Sequence, residues 1–369
     1  MADGVTDLAA RVSEVVGDRA AEWDRAGLLP VEVRHALATE GLLCPQTPAR
    51  YGGLGLNSRD AGELTAHAGS LCSSVRSVMT SQQMVAGSVE RLGDEEQRAR
   101  YLPRLAGGEI AAAAFSEPGA GSDLSAMATT IRAEGDTVVV DGRKTWITTS
   151  VYADLLLVFG RFGDAAAAVV IPADAPGVTV DRIPDPLGCR AAGHADLVFD
   201  GVRVPVDAVL GGTGLPLPLL VTAALTHGRM SVAWGCVGIL RSCLAEATRH
   251  ARTREQFGVP IGRHQLVARH LAETYTAERI ATHACEHASD RWDAGSPDMV
   301  AATVLAKHVS AAQAVSGSYA ALQVLASAGA RDGHAVARAH RDARLMEIIE
   351  GSSEMCTLIL ADHVLATAG

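Results

Sequence analysis

Residues 112–212 carry the texture of β-strands, while the stretches before and after them carry that of helices, and this order constrains the fold most. Within the block lie Thr137-Val138-Val139-Val140, Thr145-Trp146-Ile147-Thr148, Leu155 to Phe159, Val169-Val170-Ile171, Val178-Thr179-Val180 and Leu197-Val198-Phe199. Gly-Asp, Asp-Gly and Pro-containing turns separate them, which predicts a compact antiparallel domain with Asp141-Gly142 as a hairpin turn. Residues 5–108 read as helical, punctuated at Leu29-Pro30, Pro45 to Gly55 and Gly107-Gly108, and Asp94-Glu95-Glu96-Gln97-Arg98 reads as an acid-rich helix start. From about residue 216 helices return. Gly258 to Gly262 breaks the first pair, and Ser296-Pro297-Asp298 supplies an N-cap and a first-turn proline. Leu305, Val309, Ala312, Val315, Tyr319 and Leu322 then recur at steps of three and four as one apolar face. The expectation is an α+β chain: an all-α region over 1–110, a central β-barrel-like domain over 111–214 and a helical bundle over 215–369.

The chain has 369 residues, too long for a single core, and its net charge of −10 disfavours a general nucleic-acid binder, which needs a basic face. A local basic pocket for a small anion stays open. Lys144 and Lys307 are the only lysines, a skew that reads as codon bias. The seven cysteines show no C-x-x-C spacing, which predicts reduced, structural thiols in a cytosolic setting. The N-terminal MADGVTDLAARVSEVV has no continuous apolar core and reads as neither signal nor transit peptide. The uncharged run from Asp207 to Arg229 holds Pro216 and Pro218, so it reads as a loop entering a helix, not a membrane span. A soluble, cytoplasmic protein is expected.

Four groups of residues could carry chemistry. Phe115-Ser116-Glu117-Pro118-Gly119-Ala120-Gly121-Ser122-Asp123 is the densest turn signal: either a structural turn or a loop whose backbone N–H groups a ligand could approach. It is neither a Walker loop nor a G-x-G-x-x-G fingerprint. His283, Cys285, Glu286 and His287 have helical spacing but no evident third partner, so they read as a helix surface and no metal is expected. Arg249, Arg252, Arg254 and Arg263, with His250 and His264, form a basic cluster, a solvated face or an anion site. Glu350 precedes Gly351, so it reads as a helix-terminal carboxylate whose surroundings raise its pKa towards that of a general base, or else as a surface residue. Composition and spacing stop there. They name no reaction.

In their order along the chain, the motifs resemble the acyl-CoA dehydrogenase family. PARYGGLGL (48–56), LGDEEQRARYLPRLAGGE (92–109), FSEPGAGSD, GRKTWITTS, LVFDGVRVP, TREQFG, ALQVLASAGA, RDAR and IIEGSSE carry the resemblance over almost the whole length. It implies an N-terminal helical domain, a central β domain and a C-terminal four-helix bundle. It also implies FAD held between β domain and bundle, in a homodimer or homotetramer whose neighbour completes the cofactor site.

By motif, Phe115, Ser116, Gly121, Trp146 and Thr148 would line the flavin, and Ser122 would lie near both flavin and thioester. Arg254, Phe257, Gln265, Gln323 and Gly329 would contact the ADP half, and Ser352 and Glu354 would make further cofactor contacts. Arg229 and Gly351 would line the substrate site. Glu350 matches the family's usual catalytic base, and the alternative location, just before Arg229, holds Gly228. The implied chemistry is removal of the α-proton of an acyl thioester by Glu350 while the β-hydrogen leaves as hydride to flavin N5.

The chain departs from the family at Ser116, Thr149, Gly193, His194, Ala326-Ser327 and His227-Gly228. Several of these surround the expected acyl and pantetheine positions. The resemblance is greatest to members acting on short polar acyl groups carried by an acyl carrier protein, including those of methoxymalonyl- and aminomalonyl-type polyketide extender units. A short- or branched-chain acyl-CoA dehydrogenase, and a flavin oxidase or monooxygenase of the same fold, are the alternatives. By analogy the electron acceptor is an electron-transferring flavoprotein.

Overall fold

The computed structural model describes residues 3–367. Its first six helices, α1 (Asp3–Val16), α2 (Ala20–Ala26), α3 (Val31–Thr39), α4 (Ser58–Leu71), α5 (Ser73–Leu92) and α6 (Glu95–Ala106), precede any strand. The acid-rich start at Asp94 is a full capping box: its side chain accepts from the Gln97 N–H, and the Gln97 side chain accepts from the Asp94 N–H. Helix α5 is buried from Ser73 to Val89 although it is rich in Ser, Thr and Gln. Its polar groups are used to join neighbours. Gln82 donates to the carbonyls of Leu105 and Glu109 and accepts from the Ala111 N–H, which ties α5 to the first strand.

Seven strands follow: β1 (Ala111–Ala114), β2 (Thr130–Glu134), β3 (Thr137–Ile147), β4 (Leu155–Phe162), β5 (Ala165–Pro172), β6 (Val178–Arg182) and β7 (Ala195–Pro205). The β2–β3–β7–β6 ladder and the β4–β5 pair are antiparallel, as expected, while β1 joins β4 in parallel, so the sheet as a whole is mixed. The Asp141-Gly142 turn is not there. Strand β3 runs straight through it, with Gly142 at φ 156° and a register shift against β7, because β2 turns back one step earlier, at Gly135-Asp136.

The remaining helices are α7 (Leu217–Thr253), α8 (Gln265–Asp293), α9 (Met299–Leu325), α10 (Ala335–Met346) and α11 (Ser353–Thr367), with a two-strand hairpin, β8 (Glu255–Gln256) and β9 (Val259–Pro260), between α7 and α8. The uncharged run after Asp207 does lead into a helix, and no helix among the described residues is long and apolar enough to cross a membrane. Helix α9 starts at Met299, with Asp298 occupied by Ser296 and Arg291, so the Ser296-Pro297 start lies just outside it. The apolar stripe of α9 is divided: Leu305 and Tyr319 are exposed, Val315 and Leu322 pack half-buried against the helical core, and the fully buried face is Ala306, Ser310, Ala314, Gly317 and Ala321. Small residues let α9 approach α7 and α8 closely, which overrides the periodicity of the larger ones. Gly238 of α7 lies against the Ala66 carbonyl of α4, where a Cβ would collide.

Candidate functional site

Glu350 sits in the connection between α10 and α11, four residues beyond the end of α10, with a left-handed φ of 55° that is followed by Gly351 at 95°. A non-glycine residue in this region is held there against a backbone cost. Two buried cations supply the hold. Arg229 Nε donates to the Glu350 carbonyl at 3.0 Å, and Lys307 Nζ donates to the Gly351 carbonyl at 2.6 Å.

The Glu350 carboxylate is thereby directed inward. Its Oε2 is buried without a hydrogen-bond partner, and burial raises its pKa above the ordinary carboxylate value. Arg229, Lys307 and Arg76 oppose the rise through their charges. Of the two causes that a helix-terminal position and apolar neighbours would supply, burial leads, while α10 stops at Met346, four residues before the carboxylate. Gly228 lines the same space: a Cβ there would meet the Glu350 carboxylate and come within 2.9 Å of Met84 Sδ.

The turn segment 115–123 is anchored by a buried ion pair. Lys144 Nζ donates to Glu117 Oε1 at 2.8 Å and to the Phe115 carbonyl at 3.0 Å, with neither charged side chain more than 4% exposed. Burial alone would raise Glu117, but bonds from Lys144, Thr129 and Ala128 outweigh it and lower its pKa, while burial pulls Lys144 downward. The Thr145 N–H donates to the Ser116 carbonyl, docking the turn on β3. At the end of β3, Trp146 has φ 57° and is 54% exposed, and the Asp196 carboxylate accepts from its backbone N–H.

Ser116 and Thr148 are half-buried beside it, and Gly121 and Ser122 are exposed, with open space around Gly121. Phe115 instead stacks inward on Phe159, ring centroids 3.8 Å apart. A large, fixed, solvent-facing indole flanked by hydroxyls and a glycine turn is a surface that suits a planar aromatic cofactor. The residues fit the FAD that the sequence motifs imply.

The other site residues lie on the helical surface. Arg254 caps α7, Gln265 opens α8 and Phe257, at the hairpin tip, is 95% exposed with φ 55°. Gln323 is exposed near the end of α9, Gly329 is buried after it, and Ser352 and Glu354 begin the α11 turn beyond the base. Within the basic cluster, Arg249 and Arg252 line an open groove of about 780 Å³ with Arg241, which is already engaged by Glu63 and Glu278. His283 and Cys285 diverge. His283 is exposed and paired with Glu286, whereas Cys285 is buried against Ser310. All seven cysteines are free and buried.

Sequence reasoning missed several residues of the site. Both lysines are fully buried in it, each donating to a backbone carbonyl, of Phe115 and of Gly351. His194, marked in the sequence only as a departure from the family, meets Thr148 Oγ1 at 3.2 Å through Nδ1, and burial lowers its pKa to about 4. Arg76, 1% exposed on α5, had no signal in the sequence beyond an arginine in an otherwise uncharged helix segment.

Comparison with known proteins agrees with this geometry. Residues 5–109, 112–202 and 219–365 match the N-terminal, middle and C-terminal domains of acyl-CoA dehydrogenase. The human mitochondrial short-chain specific acyl-CoA dehydrogenase is 31% identical over 353 residues, 94% of this chain and 85% of its own. The cyclohex-1-ene-1-carbonyl-CoA dehydrogenase of Geobacter metallireducens is 30% identical, covering 97% of this chain and 95% of its own. Among solved structures, FkbI, described as serving biosynthesis of the methoxymalonyl extender unit of the Fk520 polyketide, superposes with a TM-score of 0.93 at 61% identity, over 97% of this chain and 99% of that one. With three consecutive domain matches spanning the chain and relatives 31% and 30% identical over nearly all of it, this chain belongs to the acyl-CoA dehydrogenase family, as an FAD-dependent enzyme acting on acyl thioesters.

Proposed function

We propose that the enzyme oxidises a short, polar hydroxyacyl group carried as a thioester on an acyl carrier protein, in the making of a methoxymalonyl-type extender unit. The 61% identity to FkbI over nearly its whole length supports this choice of substrate over a fatty acyl-CoA. The observation that carries the chemistry is the buried, unpartnered Glu350 Oε2. A carboxylate with a raised pKa and no internal partner is suited to take a proton from a carbon acid brought against it.

Glu350 takes the α-proton of the acyl thioester. Arg229 and Lys307 keep its backbone in the left-handed turn by holding the carbonyls of residues 350 and 351. The Glu350 backbone N–H donates to the thioester carbonyl as negative charge develops there. Bound FAD supplies the acceptor for the β-hydride. Ser116, Gly121, Ser122, Trp146 and Thr148 form its flavin side, with Phe115 behind them through its inward stack on Phe159 and with Ser122 and Gly351 also towards the substrate. Arg254, Phe257, Gln265, Gln323, Gly329, Ser352 and Glu354 serve the rest of the cofactor, some of them from a neighbouring subunit. The exposed Phe257, Tyr319 and Leu305 are the kind of apolar surface such a neighbour covers. The enzyme works in the cytoplasm and passes electrons to an electron-transferring flavoprotein.

The test is an anaerobic titration of FAD-loaded protein with thioesters, following loss of oxidised-flavin absorbance. A glyceryl-type group on acyl carrier protein is expected to bleach the flavin, and Glu350→Gln is expected to keep the flavin and lose bleaching. Bleaching by ordinary acyl-CoAs alone would place the enzyme in fatty or branched-chain acid metabolism. Near-normal turnover by Glu350→Gln would end the assignment of the base.

A further inference from the structure

The end of β3 is a strained segment propped from one side. Trp146 and Thr149 both carry left-handed φ values, 57° and 72°, although neither is glycine. The segment 192–196, which enters β7, meets this stretch residue by residue. Asp196 Oδ1 accepts from Thr145 Oγ1 at 2.5 Å and from the Trp146 N–H at 3.1 Å. The carbonyls of Ala192 and Gly193 accept from the N–H groups of Thr149 and Val151 at 3.0 and 3.2 Å. Gly193 turns the chain at φ 69°, where a Cβ would lie 2.6 Å from the Tyr152 ring.

That turn delivers His194 to Thr148. Among the described residues the Thr148 hydroxyl has one partner, His194 Nδ1 at 3.2 Å, while Ser81 Oγ donates to the Thr148 carbonyl at 3.3 Å. The half-buried His194 ring lies 6.0 Å from the exposed Trp146 indole, centroid to centroid. Burial keeps the ring neutral, with its pKa at about 4, and the charge of Arg76 adds to this. A neutral imidazole has one N–H and one bare nitrogen. The Cys189 backbone acts in the opposite sense to burial, by favouring a ring N–H. Nδ1 is engaged with the hydroxyl, so the N–H falls to Nε2, which is buried with no partner at hydrogen-bond distance. Nδ1 is then the bare nitrogen, and the Thr148 hydroxyl is the donor.

We propose that His194 is a positioning residue for the flavin: by accepting a hydrogen bond from the Thr148 hydroxyl at Nδ1, it turns the lone pairs of that oxygen towards the cofactor and so favours the reduced flavin. This rests on the placing of FAD against Trp146 and Thr148. Two-electron reduction of a flavin turns acceptor nitrogens of its ring into N–H donors. An oxygen whose own proton is committed elsewhere can only accept, so it suits the reduced ring better than the oxidised one. A hydroxyl released from His194 rotates to donate to the oxidised ring, and the discrimination is lost. Position 194 is one of the chain's departures from the family, so the device belongs to this chain and not to the fold at large. It acts on the flavin's potential, separately from proton removal by Glu350.

Anaerobic reductive titration of the holoenzyme against a reference dye reads the potential directly, with no acyl substrate present. His194→Leu is expected to keep FAD and lower the potential, by about threefold to tenfold in the reduction equilibrium, or about 15–30 mV for two electrons. His194→Asn, whose side-chain oxygen can accept in place of Nδ1, is expected to restore most of the difference. Thr148→Val is expected to lower the potential too, and His194→Leu added to it to change nothing more, because the hydroxyl through which His194 acts is gone. Additive effects in this cycle, or an unchanged or raised potential in His194→Leu, overturn the role of His194. Should His194→Leu hold no flavin, nitrogen NMR of wild-type holoenzyme isotope-labelled at histidine decides, with His194→Asn identifying the signal. Nδ1 is expected bare and Nε2 protonated, and a protonated Nδ1 overturns the proposal. A Thr148→Val enzyme with unaltered flavin spectrum and potential brings down the placing of the flavin with it.

Discussion

Gly228 and Glu350 share one small volume: the carboxylate of Glu350 lies where a side chain at 228 would begin. A general base can therefore enter this pocket from the α7 side or from the 350 turn, but not from both. The absence of a side chain at 228 is a condition for Glu350 to point inward.

Gly228→Ala is accordingly expected to displace the carboxylate and slow anaerobic flavin reduction, by up to the roughly hundredfold to ten-thousandfold attributed to a positioned base. FAD content should be unchanged. Stopped-flow bleaching of the purified holoenzyme measures it, and an unaltered rate would mean that the carboxylate is not constrained by this contact.

The raised pKa of Glu350 has a sign in both activity and stability. The base acts when ionised, so activity falls as pH drops through its folded-state pKa. Because folding favours the protonated form, the cost to stability is absent below the unfolded carboxylate pKa and grows as pH rises through the folded one. Glu350→Gln should therefore melt at a higher temperature than wild type at pH 8, with the gap closing below about pH 4.5. Thermal melts across pH check it; a gap that widens in acid contradicts the burial argument.

Lys307→Met removes both the bond to the Gly351 carbonyl and a charge that holds the Glu350 pKa down. The acid limb of the pH–rate profile is expected to move upward while kcat falls. A fall in rate with the limb unmoved would leave Lys307 a role in folding only.

Breaking the Lys144–Glu117 pair on one side, as in Lys144→Met, should cost about 3–5 kcal/mol in denaturant unfolding, because a buried carboxylate is left without its cation. FAD affinity should drop with it, since Phe115 and Ser116 lose their anchor. Loss of stability without loss of flavin would separate the ion pair from the cofactor shelf.

Tyr319→Glu places a charge on the exposed apolar stripe of α9. Light scattering is expected to show dissociation to monomers and absorbance to show loss of flavin, if a neighbouring subunit covers this face and completes the FAD site. An unchanged mass would assign the stripe to no subunit contact.

The α–β–α order and the helix start at Asp94 were legible because they rest on local pattern, which short windows of sequence record. Asp141-Gly142 and the α9 stripe misled for the same reason: strand pairing at Gly135-Asp136 and close helix packing through alanine and serine are decided by neighbours distant in sequence. Glu350 was legible through its motif, and so was the rise of its pKa through apolar surroundings, but the three cations that oppose the rise were not, since they come from α5, α7 and α9. Arg76 had no local signature at all.

The two lysines have a consequence for an enzyme that spends its life among thioesters. Activated acyl groups react without catalysis at exposed amines, and here no lysine ammonium reaches solvent: Lys144 and Lys307 are both buried. Every other basic side chain is arginine or histidine, and a guanidinium stays protonated and resists acylation. The folded surface thus offers its own reactive cargo no side-chain amine to modify.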